Sequence, residues 1–215
     1  MRCVSDLRKL RDAVIHRKRY LQSLVIPAST SSDKATRRTL AFAVIELDNL
    51  VVLGLRQYTK SSLLRSRSAD GSYISCNVSP RSTEEAAALV YRVINPSGFA
   101  KKSSPIAIRE KDEQAFRDPK EVEKVFISYA TSNIAGLRLG LSLNAQVFSE
   151  VKVFRHFFAH RAENTCDAVN RFARNNGFAG NIDPERLLVI GRPGTGVRLI
   201  DGWLADVENF FDLAT

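Results

Sequence analysis

Arg155 and His160 stand five positions apart in the stretch Phe154-Arg155-His156-Phe157-Phe158-Ala159-His160-Arg161, whose surroundings read as helix. An arginine carries a permanent charge and a fork of donors that matches a phosphate. A histidine can move a proton near neutral pH. Together they could cleave RNA without a metal. A base takes the proton of the RNA's own 2′-hydroxyl, the phosphate becomes crowded with charge, and an acid protonates the departing 5′-oxygen. His160 is the candidate base or acid. Arg155 is the candidate for holding the phosphate as charge builds. His156, the polar residue after the arginine, could orient a partner or bind the substrate. The spacing also sets a constraint, because residues five apart point about 140° away from each other around an ideal helix. One straight helix does not aim both at one point. Two copies facing across a two-fold axis could assemble one composite cleft.

Plainer roles compete with these. Arg155 lies at the edge of an apolar face, where it could form a buried ion pair with Glu46 or Asp48. His156 and His160 could simply belong to an outward polar face. Their spacing of four also suits zinc, with Cys166 nearby, and a zinc-dependent hydrolase is one reading. No His-Glu-x-x-His is present, however, and Cys166 points to a different side, so neither a metal nor another cofactor is expected. The run Gly191-Arg-Pro-Gly-Thr-Gly196 lacks the Gly-Lys-Ser/Thr ending of a phosphate loop and reads as a tight turn. His16, among Arg17, Lys18 and Arg19, fits a solvated basic face.

The elements that must position these residues are helices. Leu7, Leu10, Val14, Leu21 and Leu24 fall at helical intervals and predict a helix over about 5–24. The run 27–33 reads as a loop. A long apolar helix is predicted over about 34–61, interrupted by Glu46, Asp48 and Asn49, which need partners if buried. Residues 64–118 are rich in Ser, Gly, Pro and charge, and read as an irregular surface insertion with one helix at 83–94. Asp118-Pro119 opens another helix, and a further one is expected at 134–143 after a break near 131–133. The motif helix is predicted over about 146–174, with Val147, Val151, Phe154, Phe158 and Ala162 on one face. Leu187-Leu-Val-Ile190 reads as extended, and an amphipathic helix closes the chain over 198–213. The expected fold is all-α: a helical bundle of one domain over 1–215, with a long central helix and the insertion at about 64–118.

Composition narrows the partners. Lys and Arg number 32 against 23 Asp and Glu, a net charge of +9, and 22 of the cations are arginines. That balance suits a polyanion such as nucleic acid. No apolar run is long enough to span a bilayer. The charged N-terminus and three cysteines without paired spacing lead to the expectation of a cytoplasmic protein with no membrane association.

Arg155-His156-Phe-Phe-Ala-His160 resembles the signature of the HEPN superfamily: an arginine, a polar residue, a short spacer and a histidine. His156 fits the polar slot. The order of the other elements is also similar to bacterial HEPN proteins of this size. A long helix carries Ala43-Val-Ile-Glu-Leu-Asp-Asn-Leu50, an insertion follows, then the motif helix with Arg161 directly after the motif, then a helix bearing Trp203. The resemblance implies a helical bundle that dimerises and acts as a metal-independent endoribonuclease in toxin–antitoxin or phage-defence systems, with RNA as substrate and an antitoxin or defence protein as a possible partner. Arg155 and His160 would be catalytic. His156, Arg161, Glu46, Asp48 and Asn49 would support them or bind substrate. Some HEPN proteins lack activity and serve as RNA- or protein-binding modules, which is the alternative function.

Overall fold

Apolar residues at intervals of three and four, separated by polar positions, can bury one stripe of a helix and leave the rest in water. That pattern governs this chain. The computed structural model describes residues 3–29, 33–101, 116–180 and 182–215, and its architecture is all-α. The described residues form no strand, only isolated bridges such as Gly191 with Arg198. The helices are α1 (Leu7–Ala28), α2 (Lys34–Leu63), α3 (Thr83–Ile94), α4 (Pro96–Ala100), α5 (Pro119–Ser128), α6 (Ile134–Ser142), α7 (Val147–His160), α8 (Glu163–Asn175), α9 (Pro184–Val189) and α10 (Leu199–Ala214).

Several boundaries follow from local chemistry. The side chain of Ser82 accepts from the Glu85 amide and opens α3. Asp118 caps α5 in the same manner, with Pro119 in the first turn where its missing N–H costs nothing. Three expectations are corrected. First, α1 continues past Pro27, which had been read as loop. Buried Val25 and Ala28 hold this last turn by packing; residues 30–32 of the expected loop lie outside the described residues. Second, residues 187–189 are helical, not extended. Asp183 accepts from the Glu185 amide at 3.0 Å, and Pro184 presets the first turn of α9. Third, the motif helix is two helices, α7 and α8, broken at Arg161.

The chain divides into two compact units, with boundaries inside α1, α2 and α10. The first comprises Met1–Val14, Val52–Asn144 and Asn209–Thr215. Its core includes Leu10, Leu55, Tyr58, Phe126, Leu137 and Phe211. The buried Tyr58 hydroxyl donates to the Ala214 carbonyl at 2.7 Å and accepts from the Asn133 amide at 2.8 Å. Burial pushes its phenol pKa far up, so it stays a neutral donor. Gly54 is required here, because a Cβ would lie 2.6 Å from the Phe211 ring. This unit also holds the stretch expected as a surface insertion. Within it, Ala86, Ala87, Val90 and Tyr91 of α3 are buried, and residues 102–115 lie outside the described residues.

The second unit comprises Ile15–Val51 and Ala145–Glu208 and carries every candidate site residue. At its centre Phe154 meets Phe172 and Trp203 edge to face, each with ring centroids 5.2 Å apart. Such pairs add about 0.5–1.5 kcal/mol beyond the area they bury.

Candidate functional site

Helix α7 owes its placement to four buried residues, Val147, Val151, Phe154 and Phe158, at spacings of four, three and four. Its start has no side-chain cap of its own. Asp206 of α10 supplies one, its carboxylate accepting from the Val147 amide at 3.0 Å. Burial raises the Asp206 pKa, and the amide hydrogen bond offsets only part of that rise. Glu150, in the first turn, is a second anchor. Its carboxylate accepts from the Arg192 guanidinium at 2.6 Å and from the Trp203 indole at 2.8 Å. Arg192 is thereby drawn inward, away from any phosphate at the Gly191–Gly196 turn. That turn is closed by the Arg192 amide donating to the Val197 carbonyl at 2.8 Å. Gly191 permits it, since a Cβ there would lie 2.5 Å from the Gly196 carbonyl oxygen.

Asp48 is wholly buried in an otherwise apolar part of α2. A carboxylate taken out of water carries a penalty of several kcal/mol unless partners compensate. Arg155 lies beside it, with Nε 3.7 Å from Oδ2. The Arg155 side chain is 36% exposed. Its Nε is cut off from solvent and makes no hydrogen bond, since 3.7 Å is too long for one. The side chain is thus held by charge at this inner nitrogen while staying partly exposed. Of the two alternatives for the acid beside Arg155, Glu46 or Asp48, it is Asp48 that forms the ion pair. Glu46 instead accepts from Arg17 of α1 in a short hydrogen bond, and from the Asn49 amide at 3.1 Å. Asn49 therefore belongs to this exposed cluster.

His156 and His160 both lie exposed on α7. Their rings meet edge to face with centroids 4.7 Å apart. Phe157 and Val153, between and beside them, are half-buried. His160 is the last residue of the helix. Arg161 adopts a left-handed conformation, φ 48° and ψ 33°, with its amide donating to the Phe157 carbonyl at 2.7 Å. A non-glycine residue in this region stores about 1–2 kcal/mol. The Arg161 guanidinium sits 3.5 Å from Glu185 of α9. Burial and Asp183 raise the Glu185 pKa, and Arg161 opposes them. Ala162, expected on the buried face, is instead extended and exposed, and caps α8.

The structure thus joins Arg155 to Asp48, His156 to His160, and Arg161 to Glu185. Sequence reasoning missed the anchors Glu150, Arg192 and Asp206 and the turn at Arg161. Glu150 carried one usable signal, an acid in the first turn of a helix. No group of three or more metal-ligating residues occurs among the described residues. No helix there is long and apolar enough to cross a membrane. In comparisons with known proteins no family model matches this chain, and neither a curated protein nor a solved structure is significantly similar to it.

Proposed function

We propose that the protein is a metal-independent endoribonuclease of the HEPN type, serving in a toxin–antitoxin or phage-defence system. The observation that carries this reading is the environment of Arg155. A wholly buried carboxylate, Asp48, stands against its Nε, while the arginine side chain as a whole is partly exposed. An arginine held in this manner is presented to a phosphate without being neutralised by a surface partner. His160 ends the same helix exposed, immediately before the left-handed turn at Arg161.

In the proposed reaction His160 moves the proton at one oxygen and Arg155 stabilises the charge on the phosphate. Attack by the 2′-hydroxyl forms its bond to phosphorus as the bond to the 5′-oxygen breaks. The products carry a 2′,3′-cyclic phosphate and a free 5′-hydroxyl. Because Arg155 and His160 diverge around α7, the cleft takes them from two copies.

The second reading, a non-catalytic module binding RNA or protein, is favoured by the same ion pair if Arg155 serves only to compensate Asp48. The test is incubation of the purified protein with a mixed tRNA, rRNA and mRNA pool, with product ends mapped. Chelator-resistant products with cyclic phosphate ends support the nuclease. Intact RNA retained by the protein supports the module.

A further inference from the structure

We propose that His156 and His160 form a chelating site for a divalent transition ion, and that Zn²⁺ bound there shuts off the proposed ribonuclease. The binding half stands on the geometry alone; the inhibitory half rests on the nuclease reading.

Two histidines four residues apart on a helix project from one face, an arrangement able to give two nitrogens to one ion. Here both rings are exposed and already adjacent, with centroids 4.7 Å apart. Rings this close can bring one nitrogen each to a shared ion by rotation about their side-chain bonds. His160 sits in the last turn of α7, where the unpaired carbonyls of the helix end favour a cation, and His156 lies one turn before it. One neighbouring positive charge is offset, since Arg161 pairs with Glu185. Imidazole nitrogen suits zinc, copper and nickel, whereas magnesium prefers oxygen. Among the described residues no third ligand stands with them, which leaves the remaining positions to water. Such an open site binds reversibly, as regulation by an available ion requires. An imidazole whose nitrogen holds a metal cannot pass a proton, so occupancy removes His160 from the reaction.

The test titrates ZnCl₂ into untagged protein while following the ring proton signals of its histidines, which number three in the chain. The His156 and His160 signals should shift together at one equivalent and His16 should stay in place; MgCl₂ should move none of them. Joining two ligands on one rigid helix makes the second contact intramolecular, so His156→Ala or His160→Ala should weaken binding by about a hundredfold or more. Unmoved histidine signals, or variants that bind zinc as tightly as the unaltered protein, would overturn the site. Cleavage of RNA is measured separately under the same titration. Loss of cleavage in step with occupancy, restored by a chelator, supports inhibition. Undiminished cleavage at full occupancy overturns it. A protein that binds zinc but cuts no RNA at any concentration overturns the nuclease reading and leaves the metal site standing.

Discussion

At the residue scale the account turns on Asp48. Glu46 and Asp48 are two positions apart and point about 160° away from each other around α2. Only one could meet Arg155, and the apolar run alone did not say which. Burial decides it: Asp48 is enclosed and Glu46 pairs with Arg17 at the surface. If Asp48 positions Arg155, Asp48→Asn keeps the volume and removes the charge that steadies the guanidinium. The expected outcome is a folded protein whose RNA cleavage rate falls about tenfold, equivalent to about 1.4 kcal/mol in the barrier. Lowered kcat with little change in KM would identify positioning; an unchanged rate would show that Asp48 serves the fold alone.

At the scale of elements, α7 is held by its buried stripe and its two anchors. Phe154→Ala removes the ring that meets Phe172 and Trp203, and should cost about 3–5 kcal/mol, read as a lowered denaturation midpoint. Asp206 makes a prediction with a definite sign. Its pKa is raised in the folded protein above the ordinary 3.8, first by burial, so the folded state binds the proton more tightly than the unfolded chain. Stability then falls as pH rises from about 4 through the raised pKa. Asp206→Asn lacks this titration. The melting temperature of the variant relative to the native protein should therefore climb between pH 4 and pH 7, and a constant difference would refute the assignment. Helix ends marked by local chemistry were legible in the sequence, as Asp118-Pro119 at α5 illustrates. The break at Arg161 was not. Phe158, Thr165, Val169 and Phe172 are buried at spacings of seven, four and three, so the helical interval continues across the break. Neither Gly nor Pro marks it. Packing against α9, including the contact of Arg161 with Glu185, accompanies the turn, and periodicity cannot see packing.

For the whole molecule, the all-α architecture was legible because hydrophobic periodicity dominates the chain. The chemistry of the site was legible only as residue types. Which acid meets the arginine, and how α7 is anchored, depend on residues distant in sequence. In the proposed reaction the divergence of Arg155 and His160 calls for a second copy, so a protein that cuts RNA in this way should sediment as a dimer under the cleavage conditions. A preparation that is monomeric yet fully active would exclude the composite cleft. If RNA is the partner, the net charge of +9 predicts an affinity that falls steeply with added salt. The most direct test of the central claim sets Arg155→Ala beside His160→Ala, each examined by a melting curve and an RNA cleavage gel. The account predicts two folded proteins, neither able to cut RNA, with Arg155→Lys failing to restore full activity because an ammonium lacks the forked contact. A His160→Ala protein that is folded and fully active, beside an Arg155→Ala protein that is unfolded, would contradict it and leave Arg155 as a structural partner of Asp48.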